Sequence, residues 1–94
     1  LFAAVSRLDR PGTPPSAALA DAYNALAAYH LGQRDLVQAE SGFGQALRAA
    51  EAAGRPLEAA VARGNLGVVR FERGDDAGAW AHLTAARQAL RAGG

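Results

Sequence analysis

The stretch LGVVRFERGDDAGAWAHLTAA, residues 66–86, decides the fold. Two segments with helical patterning flank the pair Gly74-Asp75, in which the glycine can end one helix and the aspartate can cap the next. Leu83 supplies a large apolar side chain between the two helices. Small residues, which let two helix backbones approach closely, stand at three positions: Gly67, Ala79 and Ala86. The stretch therefore predicts a hairpin of two antiparallel helices.

A similar pattern occurs earlier in the chain. A shift of 40 residues places 20–54 over 60–94 with nine identities. Six of these are Ala, and an Ala-rich chain matches some of them by chance. The other three, one Leu, one Asp and one Gly, fall at structurally important places and carry more weight. A period of 40 residues that contains two helices predicts an array of helical hairpins.

Helix breakers predict a single all-α domain over residues 1–94. The run RPGTPP at 10–15 separates a short leading helix from the rest, and Ser16, Asp35 and Asp75 are suited to cap helices. Helices are expected over 1–9, 16–31, 35–54, 56–73 and 75–92. The domain then consists of a leading helix within 1–10, a first repeat over 16–54 and a second repeat over 56–92. Strand-like alternation is missing from the sequence.

Composition excludes several classes of protein. The chain has no Cys, so it forms no disulfide framework, no thiolate metal site and no Cys nucleophile. A net charge of +1 gives no electrostatic signature for nucleic acid or membrane. His30 and His82 have no second His at metal-ligand spacing, and no Ser–His–Asp arrangement is recognisable. We therefore expect no enzyme activity, no metal and no cofactor.

The beginning of the sequence bears on its origin and location. The chain starts at Leu1 rather than at Met, so we expect a fragment of a longer protein or a trimmed end. A charged-then-apolar leader is not visible, and the apolar runs are far shorter than the roughly 18 residues of a membrane span. We expect a cytoplasmic protein without a membrane partner.

The repeated residues resemble the tetratricopeptide repeat. In the second copy the resemblance consists of Leu66-Gly67, Gly74-Asp75, Ala79, Leu83 and Ala86. In the first copy it consists of Tyr23, Leu26-Ala27, Asp35, Ala39, Phe43 and Ala46. The period is longer than the usual one of about 34 residues, as in longer-helix variants that are often embedded in bacterial regulators and signalling proteins. The resemblance implies a right-handed superhelix of about two repeats plus the leading helix.

This chain departs from the family pattern at several positions. Arg34 stands where the family has a turn glycine, and we expect Gly32 to make the turn instead. Gly42 and Gly44 lie inside the following helix, where we expect them to permit close packing. Three residues stand where the family usually has large or aromatic ones: His30, Arg63 and Arg70. Either the helix packing shifts there, or these side chains extend to the edge with buried stems.

The resemblance also implies a binding groove, because the first helix of each repeat lines a concave surface in this family. The implied groove residues are Asp21, Asn24, Ala28 and Leu31, then Val61, Gly64, Val68 and Phe71. The helix over 56–73 is apolar on two sides, which predicts that it lies between two neighbours. We expect the groove to dock a helix or an extended peptide. The alternative is that the leading helix occupies it.

The last helix carries a second candidate surface. Arrays of this type usually need at least about three repeats, so we expect the end of this one to be underprotected. Trp80, Leu83 and Leu90 are the candidates for association at this end, and Trp80 and Leu83 share a helix face. The alternative is that Trp80 packs into the core, as Trp often does.

These features predict a non-enzymatic module or scaffold that binds a protein or peptide in its groove, with self-association into a homo-oligomer as an additional expectation. Because the chain is nearly neutral, we expect recognition to depend on shape and apolar contact, and we expect no nucleic-acid partner. The alternative is a ligand-sensing or regulatory arm of a larger bacterial transcription or signalling regulator.

Overall fold

The computed structural model describes residues 2–9, 12 and 16–93. It contains five helices: α1 (Phe2–Leu8), α2 (Ala17–Gly32), α3 (Leu36–Ala52), α4 (Pro56–Glu72) and α5 (Asp76–Gly93). All regular secondary structure in the described residues is α-helical, which confirms the predicted all-α class. Most of the predicted breaker at 10–15 lies outside the described residues. None of the described helices is both long and apolar enough to cross a membrane.

The helices begin at the residues that the sequence indicates. At the start of α2, Ser16 Oγ accepts a hydrogen bond of 3.1 Å from the backbone N–H of Leu19. Asp35 and Asp75 accept equivalent bonds from three residues further on, at 3.3 and 2.9 Å, before α3 and α5. Pro56 is the first residue of α4, where its missing N–H costs nothing. Local side-chain chemistry therefore sets the helix starts.

The three turns that connect α2 to α5 have one geometry. Each contains a residue with positive φ: 62° at Arg34, 67° at Gly54 and 82° at Gly74. The next N–H donates to a carbonyl five residues earlier: Asp35 to His30 at 2.8 Å, Arg55 to Ala50 at 2.9 Å and Asp75 to Arg70 at 2.8 Å. Such a left-handed residue with a wide hydrogen bond is a common way to end a helix. The same turn therefore ends α2, α3 and α4.

The prediction that Gly32 makes the first turn is wrong. Gly32 is the last residue of α2, and the left-handed backbone lies at Arg34. The hydrogen-bond pattern of the turn needs its positive φ at this position, which Gly74 occupies in the second hairpin. The Arg34 side chain also reaches Glu72 of α4, with 2.8 Å between Nη2 and Oε2. Arg34 therefore forms an ion pair with the second hairpin, and its backbone carries the strain of the left-handed conformation.

The helices pack mainly against their neighbours in the chain. α2 packs against α3 and α4 packs against α5; α4 also packs against α3 and, through a smaller contact, against α2. One core cluster consists of Leu19, Ala20, Tyr23, Ala46, Ala49, Ala50 and Ala62. The other consists of Ala27, Ala39, Phe43, Leu66 and Val69. As predicted, α4 lies between two neighbours, α3 and α5.

Small residues allow the paired helices to approach closely, as predicted. A Cβ on Gly42 would lie 2.7 Å from the Cβ of Ala27, where α3 meets α2. In the second hairpin, a Cβ on Gly67 would lie 2.7 Å from Leu83 Cγ. The prediction for Gly44 is wrong, since a Cβ there would meet only the end of an arginine side chain at 3.7 Å. Two residues turn a helix by about 200°, so Gly44 faces away from the contact that Gly42 makes.

α1 packs against α2. Val5 and Leu8 lie half-buried against the first core cluster, and Tyr23 OH donates a hydrogen bond to the carboxylate of Asp9. In the described part of the chain, the backbone of α1 contacts α2 and does not approach α4. The leading helix therefore leaves the α4 side of the predicted groove uncovered.

Candidate functional site

One face of α4 exposes a row of large apolar side chains, which we call the α4 stripe. It consists of Leu57, Val61, Val68 and Phe71. Phe71, at the end of the row, is 63% exposed. The other apolar face of α4 is buried in the core and includes Ala62, Leu66 and Val69. A row of large apolar side chains exposed on the surface of a small domain is typical of an interaction site.

A cavity of about 140 Å³ lies between α2 and α4, beside the first half of the stripe. Its walls consist of Ala20, Asp21, Asn24, Ala46, Leu57, Glu58 and Val61. The structure thus brings Asp21, Asn24 and Val61 together, as the groove prediction requires. Asn65 Nδ2 donates a hydrogen bond of 3.0 Å to Asn24 Oδ1 and links the two helices. We call the cavity and the α4 stripe together the α2–α4 cleft.

The remaining predicted groove residues differ in their surroundings. Ala28 is exposed on α2. Leu31 packs against the second core cluster, so its side chain contributes to the fold. Gly64 is half-buried, and a Cβ there would lie 4.0 Å from Ala86 of α5. Leu31 therefore takes part in packing between helices, which the sequence register alone does not reveal.

Four residues that line the cavity are absent from the predicted groove positions: Ala20, Ala46, Leu57 and Glu58. Leu57 lies four residues before Val61, so helical periodicity was sufficient to find it. Glu58 carried no such signal, because its place at the cavity depends on how α2 and α4 lie against each other.

The cavity end of the cleft is acidic. Asp21 and Glu58 stand on its walls, and Glu58 makes an exposed ion pair of 3.4 Å with Arg55. An exposed pair of this kind contributes little free energy, so a competing cation can replace it. Val68 and Phe71 lie further along α4 and present apolar surface. The cleft therefore has one acidic end and one apolar end.

The polar residues that depart from the family pattern lie at the edges of the helix contacts. Arg70 pairs with Glu40 of α3 at 3.0 Å and with Asp75 at 3.3 Å. Arg63 pairs with another carboxylate of α3 at 3.3 Å. His30 Nδ1 lies 3.8 Å from the carboxylate that caps α3. These half-buried side chains extend to carboxylates at the surface, which is the second of the two expected arrangements.

The end surface on α5 is exposed. Trp80 is 67% exposed, and Leu83 and Leu90 are 43% and 47% exposed. The alternative that Trp80 packs into the core is therefore wrong. The physical reason is position: within the described residues α5 packs against α4 alone, so its far side has no neighbouring helix.

A larger cavity, of about 570 Å³, lies between α3, α4 and α5. His82 lines it, and burial, helped by the nearby Arg63 and Arg70, lowers the pKa of His82 below its usual 6.5. Arg70 and Arg73, which also line the cavity, both pair with Glu40 at 3.0 Å. In the part of the chain that the structure describes, no group of three or more His, Asp or Glu is placed to hold a metal ion. The charged groups of this cavity are thus mainly engaged with each other.

Comparison with known proteins adds no further guide: no protein-family model, curated protein or solved structure matches this chain. A functional assignment therefore depends on the surfaces of the chain itself. The α2–α4 cleft combines an apolar row, a cavity and a polar end, which is the usual make-up of a recognition site.

Proposed function

We propose that this chain is a non-enzymatic protein-interaction module of the tetratricopeptide-repeat type, and that the α2–α4 cleft binds a peptide segment or helix of another protein. The α4 stripe is the observation that carries the proposal. Four large apolar side chains stay exposed along a helix whose other faces are packed. Burial of such a row by a ligand provides the apolar contribution to binding.

Features of the fold support the repeat type. The two hairpins follow each other with the same turn geometry, and small residues lie at the contact in each. α4 packs against both helices of the preceding hairpin. In a solenoid of hairpins, this order places the first helices of successive repeats side by side on the recognition surface. The α2–α4 cleft corresponds to that surface.

The two ends of the cleft define the chemistry of the partner. Val68 and Phe71 favour large apolar side chains. Asp21 and Glu58 favour a Lys or Arg side chain at the opposite end, because complementary charge fixes orientation. The expected ligand is thus a segment with large apolar residues at one end and a basic residue at the other. Apolar contact supplies most of its affinity, and the charge sets its direction.

Selection of displayed random peptides on the immobilised chain tests the proposal. We expect the recovered peptides to share large apolar positions and a Lys or Arg. Their affinity, measured by fluorescence anisotropy, should fall about tenfold or more for the double variant Val68→Asp/Phe71→Asp. The reason is that both large side chains at the apolar end of the cleft become charged.

The matched control is Val37→Asp, because Val37 is an exposed valine of α3 outside the cleft. This control should bind like the original chain, and circular dichroism should show the same helical content for all variants. Equal affinity for the double variant and the original chain contradicts the proposal. Stabilisation by a small metabolite, with no peptide recovered, would instead favour the ligand-sensing arm of a regulator.

A further inference from the structure

α5 carries an exposed row with the spacing of a helix-pairing surface, which we call the α5 seam. It consists of Asp76, Trp80, Leu83, Arg87 and Leu90, all of which are exposed. Steps of four and three residues alternate along it, which keeps all five side chains within one narrow face of the helix. The seam has a charge near each end and apolar side chains at its middle.

The equivalent row in the first hairpin shows what kind of element covers such a seam. Its members, 40 residues earlier, are Leu36, Glu40, Phe43, Leu47 and Ala50. Phe43 is packed in the core with Leu66 and Val69 of α4. Glu40 forms ion pairs of 3.0 Å with Arg70 of α4 and with Arg73, the residue directly after α4. In the first hairpin, therefore, another helix lies on this row.

The α5 seam differs from its counterpart in a way that changes which helix fits. Asp76 and Arg87 stand where the first hairpin has Leu36 and Leu47. A helix with the apolar face of α4, placed on the α5 seam, would therefore bury two charges without partners. Removal of an unpaired charge from water costs several kcal/mol in general. Trp80 stands where the first hairpin has Glu40, so the α5 seam has a large apolar side chain in place of an ion-pairing one. The seam thus calls for a partner with both apolar and charged positions.

We infer that the α5 seam pairs with the α5 seam of a second copy of this chain, in antiparallel orientation about a two-fold axis between residues 81 and 82. In this register Trp80 lies against the partner's Leu83, and Leu83 lies against the partner's Trp80. Asp76 then faces the partner's Arg87, and Arg87 faces the partner's Asp76. Two apolar layers are flanked by two ion pairs, so each charge of the seam meets an opposite one.

The symmetry of this interface gives a closed dimer rather than a chain of subunits, because the same patch is used on both copies. Trp80 is the expected anchor, since exposed Trp residues are enriched among the residues that dominate interface energies. The α5 seam is separate from the α2–α4 cleft. The inference therefore goes beyond peptide binding and is tested independently of it.

Charge exchange at the two ends of the seam tests this arrangement. Analytical ultracentrifugation of the chain should show a reversible dimer. Asp76→Arg and Arg87→Asp should each weaken it about tenfold or more, because each places like charges opposite each other twice. An equimolar mixture of the two variants should recover the dimer, since every facing pair is then of opposite charge. In a parallel pair each seam residue would face its own copy, so the original chain would already place like charges opposite each other. Either single substitution would then only replace one like-charge contact with another.

Two further variants keep the test independent of folding and of the cleft. Trp80→Ala should remove the dimer and leave the helical signal unchanged, because the side chain is 67% exposed. Val68→Asp/Phe71→Asp should leave the dimer intact even when peptide binding is lost. A chain that sediments as a monomer at every concentration, single variants that dimerise as tightly as the original chain, or a mixture that stays monomeric would overturn the inference.

Discussion

The first hairpin, α2–α3, and the second, α4–α5, have the same backbone plan in different surroundings. Both end their first helix with the same left-handed turn and begin their second helix with an Asp cap. Phe43 of the first hairpin is 1% exposed, whereas its counterpart Leu83 is 43% exposed, because α4 covers α3 while nothing described covers the far side of α5. In two hairpins of the same plan, the neighbouring helices thus decide whether a large side chain belongs to the core or to a surface.

The largest expected difference between the hairpins is the stability cost of truncating these two counterparts. Phe43→Ala should lower the free energy of unfolding by about 3–5 kcal/mol, because a cavity opens in the closed core. Leu83→Ala should cost only about 1 kcal/mol in the monomer, since 43% of this residue's surface is already exposed to solvent. Urea unfolding followed by circular dichroism, at low protein concentration, measures both. Equal costs would mean that α5 is as well covered as α3.

Glycines of α3 offer a second comparison, within one helix. Gly42→Ala should destabilise the chain by about 1–3 kcal/mol, because its Cβ would lie 2.7 Å from that of Ala27 and the helices must move apart. Gly44→Ala should stabilise by about 0.5–1 kcal/mol, since the added Cβ meets only the end of an arginine side chain at 3.7 Å and Ala favours helix. Thermal unfolding of both variants checks the sign. If both substitutions stabilise, α2 and α3 are not in close contact at Gly42.

α1 packs against α2 on the outer side of the first hairpin. This contact predicts that the stability of the chain falls at alkaline pH. Burial raises the pKa of Tyr23 to about 12, helped by its hydrogen bond to Asp9. The fold favours the protonated phenol, so this stability is fully present below pH 10 and is lost as the pH rises towards 12. The loss should be about 1–2 kcal/mol.

Urea unfolding between pH 9 and pH 12 measures this loss for the original chain and for Tyr23→Phe, in which the alkaline decline should be smaller. Tyr29→Phe is the matched control, because Tyr29 is exposed and is not part of the core cluster against which α1 packs. If the free energy of unfolding falls equally at alkaline pH in the original chain and in Tyr23→Phe, the Tyr23 hydroxyl does not stabilise the contact with α1.

The smallest expected effect distinguishes the two turns within the hairpins. Arg34→Gly should stabilise by about 0.5–1 kcal/mol, because relief of the left-handed strain exceeds the loss of the surface pair with Glu72. Gly74→Arg places the same strain in the second turn and should destabilise by about 1 kcal/mol. Urea unfolding of the original chain and of both variants measures these changes in the free energy of unfolding. A change of the same sign in both would mean that the two turns are not equivalent.

Much of the fold could be predicted from local chemistry. Ser16, Asp35 and Asp75 cap helices through bonds to the backbone N–H three residues further on, so the helix starts were accessible from the sequence. The position of the first turn was not, because Arg34 carries no conformational signal of the kind that Gly74 does. The position of this turn is determined by the hydrogen bond from the N–H of Asp35 to the carbonyl of His30, five residues earlier at the end of α2.

The candidate site was predictable to a smaller extent. The period of the apolar residues in α4 was sufficient for Val61, Val68 and Phe71, which are exposed as the groove prediction requires. Leu31 has the same apolar character but packs partly in the core, and Glu58 reaches the cavity through the relative placement of α2 and α4. Both outcomes depend on contacts between residues distant in sequence, which periodicity along one helix does not contain.

The central claim, that the α2–α4 cleft is the recognition surface, is tested most directly by methyl NMR of the chain with a selected peptide. We predict that the largest chemical-shift changes occur at the methyl groups of Leu57, Val61 and Val68, while those of Leu83 and Leu90 on the α5 seam change little. Largest changes on the α5 seam, with the α4 stripe unaffected, would contradict the claim.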